Sequence, residues 1–317
     1  MSVEQSILSA AKARDGLLSW AEYIALCLYG KDGYYRKNIG RVGADGDFFT
    51  SSSLKNKVFG RLMKAAARNI LGENGAEPDS FGFLEIGAEP ERTIIPDCPA
   101  IRLGDEIKIP ENCVVISNEL LDARPFDRFK FGGGSWKKCF IDFDNARAEV
   151  LKAPSPRELI TLEKYFPRAK IENFRIDISF DAIDLFDSIC AQMSGGLLVF
   201  ADYFRYAAEL SEMPRGTART YFKHTQGDDI FAHAGDADIT YSPCSDIFED
   251  IARKHGFNAH TRTQESFFIE NAAEEAEKII SSPDPVDPLK RELAQLISPV
   301  HMGVCFRIFY MTGTGGD

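Results

Sequence analysis

The chain has 317 residues, 44% of them hydrophobic, and a formal net charge of -11. That length suits one large α/β domain with insertions or two smaller domains, each with its own core. The charge argues against sequence-independent nucleic-acid binding, which rests on clustered Lys and Arg neutralising phosphates. No apolar run approaches the roughly 18 residues that span a bilayer, and "MSVEQSILSAAKARDG" lacks the long apolar core of a secretory signal, so a cytoplasmic location without membrane insertion is expected. Seven scattered cysteines with no CxxC pair are expected to be reduced and mostly buried.

In chain order, Ser19 is a candidate N-cap for a helix over "WAEYIALCLYG", where Trp20, Ile24 and Cys27 recur at three- to four-residue spacing before Gly30 and Gly33 end it. The stretch "GYYRKNIGRVGADGDFFTSSS" is rich in glycine, aromatics and hydroxyls and suits an ordered loop over a pocket. Residues 54–71 return to helix, with Leu54, Val58, Leu62, Ala65 and Ala66 on one face. Beyond it, "FGFLEIG", "AIRLG", "CVVISNE" and "GGLLVFADYF" read as strands, and 155–165 and 181–193 as helices, the second closed by Ser194-Gly195-Gly196. Short apolar runs alternating with helices imply an α/β fold with a mostly parallel sheet covered on both faces. "HGFNAHTRTQ" and "MGVCFRIFYMT" read as two further strands and "GTGGD" as a frayed tail.

Ligands of an open α/β sheet bind beyond the carboxyl ends of its strands. Three strands end in polar residues: Glu85 with Gly87; Ser117 with Asn118, Glu119 and Asp122; Asp202 with Tyr203. Helix capping explains one or two polar residues after a strand, but Asn118, Glu119 and Asp122 together point to a site. Asp202 reads equally as a turn former. In "GADGDFFTSSS", Asp-Gly and serines are turn chemistry, while Phe48 and Phe49 flanked by Asp47 and Thr50 have the character that lays a ring against an adenine or a methyl group. The five histidines show no ligand spacing, so no metal is expected, and no GxSxG elbow or Cys/His signature offers a hydrolytic nucleophile.

Together, in order and over most of the chain, these segments resemble the MidA-type family of class I S-adenosylmethionine-dependent methyltransferases, whose mitochondrial members are complex I assembly factors that methylate an arginine of a complex I subunit. "YGKDGYYRK" is similar to the family's N-terminal Gly-Tyr-Tyr segment, "GDFFTSSSLKNKVFG" to its Gly-Asp-Phe-x-Thr-Ser stretch, and "SNELLDARPFDRF" to its Asn-Glu-x-x-Asp-Ala-x-Pro motif. "GGLLVFADY", "RGTARTYFKHTQGDDIFAHAGDADIT" and "SPVHMGVCFRIF" follow the pattern too. The resemblance implies a helical and pocket-loop region over 1–79 and a Rossmann-like methyltransferase domain with insertions over 80–313. It places Gly46, Asp47 and Thr50 in the loop closing over S-adenosylmethionine, Glu85 and Gly87 at its methionine side, and Asn118, Glu119 and Asp122 where cofactor and substrate meet. Phe204 stands where the family has glycine, and "DITYSPCS" departs from the family after Thr240.

The larger departure follows Gly87, where "AEPE" replaces the further glycines of the family's turn. The resemblance calls for a helix, a second strand with an acidic residue for the ribose hydroxyls, another helix and a third strand before "CVVISNE". Ala88 to Asn112 is too short for two crossovers, each of which takes at least about 10 to 12 residues besides its strand. If "AIRLGDEIKIP" is the third strand, one strand-helix unit is lost, and the ribose carboxylate with it. Pro90, Pro96 and Pro99 also leave little room for the first helix. For a working enzyme, Asp47, Glu119 and Asp122 are the candidate catalytic carboxylates that hold and deprotonate the guanidinium of a partner protein. The alternative is a catalytically degenerate member that acts as a binding or assembly protein.

Overall fold

A computed structural model describes residues 2–37, 51, 54, 57–90, 92–167, 169 and 171–313. The frayed-tail expectation for the last four residues lies outside the described residues. The helices in chain order are α1 (Val3–Lys12), α2 (Trp20–Tyr29), α3 (Val58–Glu73), α4 (Pro156–Tyr165), α5 (Phe180–Gln192), α6 (Ala207–Leu210), α7 (Ser245–Lys254), α8 (Gln264–Asn271), α9 (Ala273–Ile280), α10 (Pro288–Ile297) and α11 (Met302–Cys305). The strands are β1 (Leu17–Ser19), β2 (Gly82–Ile86), β3 (Ala100–Ile101), β4 (Cys113–Asn118), β5 (Asp127–Gly132), β6 (Ser135–Asp142), β7 (Ala148–Lys152), β8 (Arg175–Ile178), β9 (Leu197–Asp202), β10 (Arg219–Phe222), β11 (Thr225–Gly227), β12 (Asp238–Thr240), β13 (Phe257–Thr263) and β14 (Arg307–Gly313). They fall into two compact units: Met1–Phe49, Leu121–Asp184 and Arg205–Ile247 form one, and Thr50–Leu120, Leu185–Phe204 and Phe248–Asp317 the other.

The second unit is built on a six-stranded sheet of order β13-β14-β9-β4-β2-β3, with β9, β4, β2 and β3 parallel and β14 antiparallel. β4 and β9 are buried along almost their whole length, as their unbroken apolar runs require of strands covered on both faces. On one face Val114, Ile116, Val199 and Ile308 pack with Leu62, Ala66 and Ile70 of α3 and with residues of α8 and α10. On the other, Phe186 lies edge-on to Phe200, Phe248 and Phe309 at centroid distances of 5.2 to 6.1 Å.

"AIRLG" contributes only the two residues of β3, and these pair directly with β2 through Glu85↔Ala100 and Ile86↔Ile101. A neighbour of the first strand stands in the second position of a Rossmann-like order, so the segment takes the second strand's place and not the third's. The parallel crossover from Gly87 to Pro99 contains no helix among the described residues. It is held instead by side chains: Ile94, Ile95 and Cys98 enter the core beside α3. The helix expected over 54–71 runs from Val58 to Glu73, and within "MGVCFRIFYMT" the first four residues are the short helix α11, with the strand starting only at Arg307.

In the first unit an antiparallel sheet of order β1-β6-β5-β8, with β7 on β6, and a three-stranded sheet of order β11-β10-β12 join α1 and α2. α2 starts where the sequence places it: Ser19 Oγ accepts the Glu22 N–H while the Glu22 carboxylate accepts the Ser19 N–H, a reciprocal cap. Leu18, Ile24, Leu28, Phe126 and Tyr241 are in its core. Six of the seven cysteines are buried and Cys305 is exposed. Among the described residues no helix is long and apolar enough to cross a membrane, and no group of three or more His, Cys, Asp or Glu is placed to hold a metal ion.

Candidate functional site

β2 runs into a turn built on a single glycine. Gly87 has φ +81°, and a Cβ there would lie 2.9 Å from Leu120 Cδ1. One residue before the end of the strand, Glu85 is 5% exposed, and its Oε2 accepts the Ile94 N–H at 2.6 Å, fastening β2 to its own crossover. Burial pushes the Glu85 carboxyl up to about 7, against the lowering effect of the Ile94 N–H and of Arg102 and Arg92.

β4 brings the next residues to the same edge of the unit. Ser117 Oγ donates to Ile86 O at 2.6 Å, tying the ends of β2 and β4 together beyond their ladder. Asn118 Nδ2 donates to Glu119 Oε1 at 2.7 Å, whereas Asn118 Oδ1 is buried with no hydrogen-bond partner among the described residues. An unpaired buried acceptor costs about 1–3 kcal/mol, which a ligand N–H would recover. Glu119 sits at φ +52° while its N–H still reaches Ala201 O at 2.8 Å. A left-handed non-glycine costs on the order of 1 kcal/mol or more, and such strain gathers at ligand sites. Asp202 is buried and accepts the Tyr203 N–H at 2.7 Å, the turn-forming role.

In the other unit, Asp122 and Asp238 are both buried. Thr240 Oγ1 donates to Asp122 Oδ2 at 2.7 Å, and Tyr35 OH donates to Asp238 Oδ1 at 3.0 Å, an oxygen that also accepts the Ile239 N–H. Tyr35 stacks on Tyr29 with centroids 5.3 Å apart, and Tyr29 OH donates to Ala123 O at 2.9 Å. Burial first, and the Asp122 charge second, hold the Asp238 carboxyl well above the usual range. Burial raises Asp122 as well, opposed by the Thr240 hydroxyl and the Arg219 guanidinium. The Asp122 charge thus adds to the proton affinity of Asp238, while the Arg219 guanidinium lowers that of both.

Residues 99–263, just over half of the chain, match the family described as "Putative S-adenosyl-L-methionine-dependent methyltransferase". The chain belongs to this methyltransferase family. Its fold is similar to that of a COG1565 superfamily member from Burkholderia thailandensis bound to S-adenosyl-homocysteine, with a TM-score of 0.83 at 18% identity, covering 99% of this chain and 92% of that one. A native structure of a COG1565 superfamily protein from the same organism gives 0.79 at 19% identity with the same coverage. No curated protein matches the sequence.

The methyltransferase sheet is therefore the class I arrangement with its second strand reduced to two residues, and S-adenosylmethionine is the family's cofactor. One feature of the site suits it: Asn118 Oδ1, at the end of β4, is a buried acceptor without a partner among the described residues and would take an N–H donor of such a ligand. Of the sequence-predicted residues, Glu85, Gly87, Asn118 and Glu119 lie at the ends of β2 and β4, and Asp122 lies in the other unit with Asp238. Gly46, Asp47 and Thr50 lie outside the described residues. Sequence reasoning passed over Asp238, Tyr35 and Tyr29. The available signal was a buried acid inside the strand pattern "DIT", which "GDAD" disguises as a turn.

Proposed function

We propose that the protein is an S-adenosylmethionine-dependent protein arginine N-methyltransferase of the complex I assembly type. The observation that supports it most directly is the buried Asp122 and Asp238 pair, each with a carboxylate oxygen oriented by a hydroxyl, Thr240 for the first and Tyr35 for the second. A guanidinium is the side-chain cation whose planar donors match carboxylates bidentately.

When bound, S-adenosylmethionine supplies an electrophilic methyl group on a sulfonium. Gly87 would take its methionine side and Asn118 Oδ1 would accept one of its N–H groups at the end of β4, with Gly46 and Thr50, outside the described residues, as further candidate contacts. Glu85 acts through the Ile94 N–H, keeping the crossover on the sheet beside the turn. Asp122 orients the substrate guanidinium, and its raised proton affinity lets it take the proton that an ω-nitrogen must shed to become nucleophilic. Asp47 and Glu119 are the further candidate carboxylates for that cation.

The test is transfer of tritiated methyl from S-adenosylmethionine to an arginine-containing peptide. Label on arginine is the expected result, and Asp122→Asn should lower the rate by about 100-fold or more while leaving S-adenosylhomocysteine binding within about threefold. The helix-free crossover favours a second reading, an assembly protein without turnover. Intact cofactor binding with no transferred label on any arginine-bearing substrate would support that reading instead.

A further inference from the structure

In a Rossmann-like sheet the end of the second strand carries the carboxylate that reads the ribose hydroxyls. In this chain β3 holds that place, and the residue that follows it is Arg102. The Arg102 Nε donates to Glu89 O at 3.2 Å, and its N–H donates to Asp105 Oδ2 at 2.8 Å. Among the described residues, the nearest acids that follow the strand are engaged locally: Asp105 by that N–H, and Glu106 by Lys108 Nζ at 2.8 Å. The turn's own donors are used inside the fold, since the Gly87 and Ala88 N–H groups both reach Ile101 O, at 2.9 and 3.4 Å, and the Ile94 N–H is held by Glu85. By contrast, the unpaired acceptor Asn118 Oδ1 is at the end of β4, which lies across β2 from β3.

We propose that this chain reads its cofactor through the methionine end and leaves the ribose hydroxyls unread, with Arg102 standing where the ribose carboxylate would be. The proposal rests on S-adenosylmethionine being the cofactor, as argued above. A ribose hydroxyl bonded to a carboxylate is worth roughly 10- to 100-fold in affinity, so its absence has a measurable signature.

The experiment is isothermal titration of the purified full chain with S-adenosylhomocysteine, its 2′-deoxy analogue and 5′-methylthioadenosine. The 2′-deoxy analogue should bind within about threefold of the parent, while 5′-methylthioadenosine, which keeps the nucleoside and lacks the amino acid, should bind at least about 100-fold more weakly. Arg102→Glu, with its unfolding midpoint measured alongside, should tighten S-adenosylhomocysteine by about tenfold and the deoxy analogue by less. If that variant does not fold, the wild-type comparison alone decides. A loss of about 30-fold or more on deoxygenation, or equal binding of 5′-methylthioadenosine, overturns the proposal while the cofactor reading stands. Binding of none of the three overturns both.

Discussion

Glu85 is a carboxyl group that folding makes harder to ionise. Its folded value of about 7 lies above the ordinary 4.5, so the folded state holds the proton more tightly than the unfolded chain. That contribution is fully present below pH 4.5 and is lost as pH rises through 7; the shift corresponds to roughly 3 kcal/mol. Glu85→Gln keeps an acceptor for the Ile94 N–H without the charge. Urea unfolding at pH 5 and pH 8 should therefore show the wild type losing stability, relative to the variant, by an amount of that order across the interval. Gly87 sets a different constraint. In Gly87→Ala the left-handed φ and the crowding against Leu120 Cδ1 should together cost about 1–2 kcal/mol, and Leu120→Ala in the same chain should return the crowding part. Equal losses in the single and double variants would show that the backbone angle alone matters.

At the scale of elements, the crossover between β2 and β3 does with a loop what a helix does in the full fold. It packs because α3 offers it a bare backbone: a Cβ on Gly60 would come within 2.0 Å of Ile94 O. Gly60→Ala should push the crossover off α3, lowering stability by about 1–3 kcal/mol in chemical unfolding and weakening S-adenosylhomocysteine binding in the same protein. Unchanged binding would separate the crossover from the cofactor. How far such features could be read beforehand depended on the range of the signal. The Ser19–Glu22 cap and the apolar runs of β4 and β9 are local, and they appear in the structure where the sequence puts them. The shortage of chain between Gly87 and Cys113 was also countable. Which strand the short segment became was not, because adjacency to β2 is a pairing choice made across the sheet. The meander β5-β6-β7 was passed over although its alternation and its Gly132-Gly133-Gly134 turn are local signals. Asp122 stood out because it follows a strand, whereas Asp238 becomes conspicuous only when Tyr35, more than 200 positions away, donates to it.

For the molecule as a whole, the excess of acidic residues that argues against nucleic acid favours a basic polypeptide. If the acceptor is an arginine-bearing protein segment, part of its attraction is long-range and screened over about 8 Å at physiological ionic strength. Raising sodium chloride from about 50 to 300 mM should then increase KM for such a peptide several-fold with kcat unchanged. A salt-independent KM would leave only the short-range carboxylates to account for recognition. The stub at the flank of the parallel sheet has a consequence of its own. A long, flat outer strand presents unpaired amides and carbonyls on which a neighbouring molecule can build, a route to aggregation that natural proteins blunt with short or covered edges. Ala100–Ile101 offers two residues of such backbone and then turns away at Arg102. The economy that leaves β3 only two residues long thus also makes this flank a poor template for intermolecular β-pairing.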